Sequence, residues 1–368
     1  MNSIHQIIYK DSHNIDNILS ETINLVVTSP PYPMFDMWDT IFSTNNDVET
    51  ALKDGDGRKA YILMHNGLNE VWKEVDRVLA PGGIACINIG DAPRRIGDSF
   101  QVYSNHVRIV NYFEEMGYHV LPSIVWQKFS NKPNKFMGSG MLPVNAYVTL
   151  ENEHILIFRK GEKRIFTPEE NKIRHESAYF WEERNTWYSN IWDDLYGIPQ
   201  GLNDKGVRSR SGAYPFDLPY RLINMYSIRG DNVLDPFVGT GTTMLAAMCA
   251  GRNSVGYEID KNFKNIINDK VNNFLNFSKE IVMNRIENHI KFVAARRKDK
   301  GELKYDALKY DFPVMTKDEK DISFQLINKI EKINKDKFKV FYTSLDKDIM
   351  LKRRRRVEQK HLSSIGFK

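Results

Sequence analysis

Short β-branched runs alternating with stretches of helical periodicity predict an α/β fold built on a mainly parallel sheet. Three observations carry this expectation. The runs recur from residue 6 to residue 257 with helical segments between them. Several end in Pro or Gly clusters, which stop a strand and open a turn. Residues 123–126 and 154–158 read as the paired strands of a hairpin, which adds an antiparallel edge.

In chain order, a strand at residues 6–9 is followed by Asp11 and a short helix over 15–19. A second strand, Leu25-Val26-Val27, delivers Ser29-Pro30-Pro31-Tyr32. Pro30-Pro31 prevents a central strand from continuing, so the tetrapeptide lies at the strand's carboxyl edge, where open α/β sheets bind ligands. Residues 35–58 form a polar loop containing Asp54-Gly55-Asp56-Gly57, expected to be mobile and able to close over a substrate. Over 61–79 the 3.6-residue period places Leu68, Val71, Trp72, Val75, Val78 and Leu79 on one side of a helix that stops at Pro81-Gly82-Gly83. A strand over 84–89 ends at Gly90-Asp91, and a helix over 106–116 is closed by Gly117.

Regular patterning then gives way, over 159–210, to a polar, aromatic-rich stretch in which Trp181, Trp187 and Trp192 are expected to form a small core. It resumes with a helix from Pro215 through Tyr226 and a strand at 232–234. That strand feeds the turn Gly239-Thr240-Gly241-Thr242 and a helix over 242–250, and the strand 253–257 ends at Glu258. Residues 262–368 read as charged and largely helical, with 322–338 as an amphipathic example.

Composition narrows the possibilities. A chain of 368 residues with 41% hydrophobic and 12% aromatic content affords a large core and is not disordered as a whole. There is no basic, then apolar, leader and no apolar run of membrane-spanning length, so a soluble, cytoplasmic protein without a membrane partner is expected. Two cysteines, Cys86 in a strand and Cys249 in a helix, cannot build a disulfide framework or a four-ligand zinc site, and no metal is expected. Residues 290–368 hold 22 Lys and Arg against 12 Asp and Glu, peaking at Lys352-Arg353-Arg354-Arg355-Arg356, whereas the whole chain has 52 against 47. The basic character is therefore concentrated in the C-terminal part, which suits a phosphate backbone as partner.

The two motifs that carry chemistry lie far apart. Gly239-Thr240-Gly241-Thr242, preceded by Asp235-Pro236-Phe237, sits where a backbone must turn tightly and let a ligand approach. Glu258, 19 residues after Gly239, can accept hydrogen bonds from both ribose hydroxyls of a nucleoside. Nicotinamide or phosphate binding fits less well, because the third glycine of Gly-x-Gly-x-x-Gly and a Gly-Lys-Ser/Thr are both missing. A nucleoside cofactor without phosphates, such as S-adenosylmethionine, fits better. Ser29-Pro30-Pro31-Tyr32 suits an exocyclic amine on a nucleobase. The Ser29 oxygen and the Pro30 carbonyl can accept the amine's two hydrogens and direct its lone pair, with Tyr32 as a stacking face for an extruded base.

These motifs, in this order, resemble the β group of amino-group-specific DNA methyltransferases over roughly residues 5–265. The resemblance implies a Rossmann-like, S-adenosylmethionine-dependent methyltransferase sheet with circularly permuted motif order. It implies catalytic and cofactor parts at 1–160 and 211–265, a target-recognition region at 161–210, and a basic, mainly helical extension at 266–368. Ser29, Pro30, Pro31 and Tyr32 match the catalytic loop. Asp11 matches the acid that contacts the cofactor adenine, Tyr214 and Pro215 belong to the segment packed over the cofactor, and Asp235, Pro236, Phe237, Gly239, Thr240, Gly241 and Thr242 form its loop. Glu258 matches the ribose acid. Lys163, Arg164, Lys172, Arg174, Arg184, Arg208 and Arg210 are available for phosphates or guanine edges.

Serine at the first position of the tetrapeptide goes, in this family, with N4 of cytosine, and adenine N6 is the alternative. The expected partners are double-stranded DNA, a cognate restriction endonuclease acting on the same site, and a second copy of the chain as a homodimer. A non-catalytic DNA-binding subunit is the competing function, and the intact Ser29, Tyr32, Gly239 and Glu258 count against it.

Overall fold

The computed structural model describes residues 1–128, 137–195 and 214–345. Strand β1 (Asn2–Ile8) and strand β2 (Ile23–Thr28) are followed by two short helices, α1 (Asp39–Phe42) and α2 (Asn46–Lys53), and by the long helix α3 (Gly57–Val78). Then come β3 (Leu79–Ile89), the small hairpin β4 (Ala92–Ile96) and β5 (Ser99–Tyr103), α4 (Asn105–Glu115) and β6 (His119–Gln127). A two-residue pair, β7 (Met137–Gly138) and β8 (Ala146–Tyr147), precedes β9 (Asn152–Arg159), α5 (Pro168–Glu176), α6 (Trp181–Trp187) and β10 (Ile191–Trp192). The chain continues through α7 (Asp217–Tyr226), β11 (Asn232–Asp235), α8 (Thr242–Ala250), β12 (Asn253–Tyr257), α9 (Phe263–Asn272) and α10 (Phe274–Lys300). It closes with the pair β13 (Tyr305–Asp306) and β14 (Pro313–Val314) and the hairpin β15 (Gln325–Asn334) and β16 (Lys337–Ser344).

Ten strands form one sheet in the order β10-β6-β9-β3-β2-β11-β12-β1-β16-β15. Its centre, β3-β2-β11-β12-β1, is parallel throughout, so the carboxyl ends of all five strands share one edge. Strand β9 runs antiparallel between β3 and β6, which brings its first residues, Asn152 and Glu153, to that same edge. Both faces are covered, as parallel strands require. Along β2, Leu25 and Val27 face a core shared with α7, α8 and α10, through residues such as Leu218, Met248 and Ile286. Val26, between them, faces the other core, which it shares with Trp72 of α3 and Phe113 of α4.

Several expectations change. Residues 15–19 form turns, with Ile15 and Ile18 buried. Their backbone groups bond to α3 instead of along a helix: Arg77 donates to the carbonyls of Ile15 and Ile18 at 2.8 and 3.0 Å, and Glu74 accepts from the Ile15 amide at 2.9 Å. The stretch 35–58 contains α1 and α2; Val48 and Ala51 are buried in a small cluster with Met34, Ala60 and Met64, and Arg94 clamps Asp39 with two bonds of 2.8 and 2.6 Å.

The expected amphipathic helix at 322–338 is instead mostly β15, and among the described residues of the C-terminal part α10 ends at Lys300 and strands follow, with one short 3-10 turn at Lys317–Glu319. Ile327, Ile330 and Ile333 recur every three residues, but in the strand Ile327 is buried and Ile333 exposed, and register shifts after Ile327 and Lys332 break the two-residue period. Strand β16 then pairs with β1, Phe338 opposite His5 and Val340 opposite Ser3, and extends the main sheet. Finally, the residues that follow β9 through α5 lie at the opposite edge from Ser29, whereas β10 runs parallel to β6 back toward the edge of Ser29. Arg164 bonds Asp231, just before β11, at 2.8 and 3.0 Å and Glu170 at 2.8 Å. Lys163, Lys172 and Arg174 belong to this same segment, while Arg208, Arg210 and Lys352 to Arg356 lie outside the described residues. Trp187 and Trp192 are buried in the main core shared with Leu25, Leu218 and Ile286 instead of forming a small core of their own, and Trp181 is partly exposed and stacks on Phe292.

Candidate active site

The carboxyl ends of β2 and β11 are neighbours, and one bond joins their loops: Thr28 donates to the Asp235 carboxylate at 2.7 Å. That carboxylate also accepts from the Phe237 amide at 3.0 Å and the Tyr214 hydroxyl at 3.5 Å, while Tyr214 bonds Thr243. Asp235 is buried, and burial raises its pKa despite these donors. Its oxygens brace the loop after β2, the glycine turn and the Tyr214 segment against one another. Pro215 and Pro236 are buried behind them.

Gly239 and Gly241 adopt left-handed conformations, φ 52° and 81°, and a Cβ at Gly239 would meet nothing within 4 Å. The turn is therefore open on the ligand side. Gly256 is required for another reason: a Cβ there would fall 2.1 Å from Val238, so only glycine lets β12 lie this close to the turn. Phe237 packs edge-on against Trp72 at 6.1 Å. Glu258 is held by the amides of Gly239 at 2.7 Å and Asp260 at 2.8 Å, one on each oxygen. Burial pushes its carboxyl up to about 7, partly offset by these two donors. Each oxygen keeps a lone pair for a hydroxyl. Thr240 and Thr242 are buried in the turn, where Lys270 donates to Thr240 at 2.7 Å. Asp11 follows β1 at the same edge and is half exposed; it holds the turn by accepting from the His13 amide at 2.9 Å and from the His13 ring, and that ring bond lowers its pKa. The open turn and the buried Glu258 carboxylate held beside it fit S-adenosylmethionine, which when bound supplies an activated methyl group.

In the loop after β2, no described residue donates to the Pro30 carbonyl. Tyr32 is 8% exposed. Its hydroxyl donates to Glu153 at 2.8 Å and accepts from Asn88 at 2.8 Å, and Ser29 lies 3.0 Å from it. The ring is thus anchored at its polar end and meets Phe35 edge-on at 5.2 Å, so it is less open as a stacking platform than the sequence suggests. Met34 then takes a left-handed φ of 66° while buried. Asn105 pins this bend by donating to the carbonyls of Pro33 at 3.0 Å and Gly90 at 2.9 Å, and its own oxygen meets the His65 ring at 3.0 Å. Burial lowers the His65 pKa to about 4, so the imidazole is neutral.

Nearby, Asp91, His106 and His154 bring three potential ligand atoms within 4.8 Å of one another, the one such group among the described residues. His106 already bonds Asp91 at 2.7 Å and stacks on His154 with ring centroids 4.1 Å apart. The structure therefore brings Ser29, Pro30, Pro31 and Tyr32 beside Asp235 to Thr242 and Glu258, with Asp11 at the rim. Asn88, Asn105, Glu153 and Gly256 also shape the site without belonging to either sequence motif. The one signal of them in the sequence is Asn88, a polar residue inside the apolar strand 84–89.

A family model for N6/N4 methyltransferases, described as DNA methylase, matches residues 23–269. The chain belongs to this DNA methylase family. Over 349 residues it is 55% identical to the type II methyltransferase M.MthZI of Methanothermobacter thermautotrophicus, covering 94% of this chain and 97% of that one. It is 50% identical over 279 residues to the type II methyltransferase M.MjaI of Methanocaldococcus jannaschii, covering 73% and 91%. Among solved structures it is similar to a protein of Thermus thermophilus named for a DNA modification methylase and solved with S-adenosylmethionine, at a TM-score of 0.57 and 28% identity, covering 73% of this chain and 94% of that one. The α/β methyltransferase fold follows from both the sheet and these matches. No helix among the described residues is long and apolar enough to cross a membrane.

Proposed function

We propose that this DNA methylase transfers the methyl group of S-adenosylmethionine to the exocyclic N4 amine of cytosine within a short specific site in duplex DNA, as a β-group enzyme and the modification partner of a restriction endonuclease. The observation that carries this reading is the 2.7 Å bond between Thr28 and Asp235, which holds the Ser29-Pro30-Pro31-Tyr32 loop directly beside the glycine turn. The names of its type II relatives support action at a specific site.

The extruded base places its amine between the Ser29 oxygen and the Pro30 carbonyl. With both hydrogens accepted, the nitrogen lone pair is drawn out of conjugation with the ring and directed at the methyl carbon. A nitrogen–carbon bond forms as the carbon–sulfur bond breaks, the bonding pair stays on sulfur, and the nitrogen then releases one proton to solvent. Glu258 holds the ribose and Asp11 the adenine end. Ser29 in place of an acidic or amide residue favours cytosine, and adenine N6 offers the same amine geometry. The test is methylation of a plasmid library followed by base-resolved mapping. One motif methylated at one cytosine is expected; methylation at an adenine replaces the target assignment, and specific DNA binding without transfer favours the non-catalytic subunit.

A further inference from the structure

Glu153 opens β9 at the catalytic edge and is 9% exposed, in contact with the catalytic loop from a strand more than 120 residues away. Its carboxylate takes three donors: the Tyr32 hydroxyl at 2.8 Å, Asn88 at 2.6 Å and Lys128 at 2.6 Å. A carboxylate has no proton to give, so the amide of Asn88 must present its nitrogen and Tyr32 must present its hydrogen. Were the Tyr32 proton turned to Ser29 instead, two bare oxygens would face each other across 2.8 Å in a buried site. Tyr32 has one proton, and Glu153 holds it. In the 3.0 Å contact between Ser29 and Tyr32, Ser29 is therefore the donor. A serine hydroxyl whose hydrogen is directed at Tyr32 has only lone pairs to offer in its other directions. Burial, followed by the nearby Glu153 charge, raises the Tyr32 phenol well above its ordinary range, so the hydroxyl keeps its proton at neutral pH.

We propose that Glu153 is a positioning residue for methyl transfer: by holding the Tyr32 proton it forces Ser29 to donate inward and keeps the Ser29 oxygen an acceptor for the target amine. This rests on Ser29 as the amine acceptor. Without Glu153 the Ser29 hydrogen is free to point at the base, where it meets an amine hydrogen and disfavours the reacting geometry. The effect falls on the chemical step, because Glu153 makes none of the contacts assigned to the cofactor.

The test uses the full chain with duplex DNA containing its site and labelled S-adenosylmethionine, comparing wild type, Glu153→Gln, Tyr32→Phe and the double variant. Single-turnover rate, cofactor Kd and DNA Kd are measured for each. Glu153→Gln is expected to slow transfer on the order of 100-fold with both Kd values within about twofold of wild type. Tyr32→Phe, which keeps the ring and removes the link, is expected to lose a similar factor, and the double variant no more than the larger single loss. A wild-type rate in Glu153→Gln, or losses that multiply in the double variant, overturns the proposal. If Glu153→Gln fails to fold or to bind cofactor, Tyr32→Phe decides, and a wild-type rate there overturns it equally. Should the wild-type protein methylate no amine, the underlying reading of Ser29 fails; amine methylation with an unaffected Glu153 variant refutes the relay alone.

Discussion

Glu258 shows how one buried acid ties cofactor binding to pH. Its carboxyl is raised from the ordinary value of 4.5 to about 7 by burial. In the free protein the folded state keeps a proton between those values that the unfolded chain has released, so this group's contribution to stability falls as pH rises from about 4.5 to about 7. With Glu258 as the proposed ribose acceptor, its ionised form is the one that takes the hydroxyls, so cofactor affinity should move the opposite way, rising up to about tenfold per unit below pH 7 and levelling above it. Calorimetric titration of S-adenosylmethionine at several pH values checks this, and Glu258→Gln should flatten the profile while weakening binding by on the order of tenfold or more. At Gly256, substitution by Val should abolish cofactor binding and lower Tm, because Val238 lies 2.1 Å from even the first added carbon. Ser29, Asp235 and Glu258 were legible in the sequence because their motifs are local. Glu153 and Asn88 were not, because their meaning depends on β3 and β9 lying side by side at the catalytic loop, a pairing between strands remote in sequence.

Among the elements, those buried on both faces were the easiest to read. Helix α8 spans Thr242–Ala250 as expected, between a glycine turn and Gly251, whose φ of 73° ends it. The β15–β16 hairpin was not legible, because Ile327, Ile330 and Ile333 fall at a helix-like spacing although they lie on a strand interrupted by two register shifts. Its attachment to β1 gives it a structural duty close to the site, since β1 also leads to Asp11. Phe338→Ala in β16, at a position 3% exposed, should destabilise the protein by about 3–5 kcal/mol in denaturant unfolding. The same change should lower hydrogen-exchange protection of the β1 amides paired with β16 while leaving β2 and β11 protected. Protection lost uniformly across the sheet would mean that the hairpin and the parallel centre unfold as one unit.

For the whole molecule, the parallel centre explains why motifs more than 200 residues apart form one site: every central strand delivers its carboxyl end to the same edge. That organisation was readable from the order of strands and turns. Placement of the basic residues after β9 was not, since sequence alone does not say at which edge a strand of the antiparallel flank ends. With Arg164 committed to Asp231 and Glu170, replacing it by Met should lower Tm more than it changes DNA affinity, which thermal unfolding and a binding titration would separate. The central claim, that the joined loops make an amine-methylating site on DNA, is tested most directly by mass spectrometry of nucleosides from duplex DNA incubated with the protein and methyl-labelled S-adenosylmethionine. Labelled N4-methylcytosine is the predicted product. Labelled N6-methyladenine would contradict the reading of Ser29 while keeping the mechanism, and the absence of any labelled base on DNA of diverse sequence would contradict the claim itself.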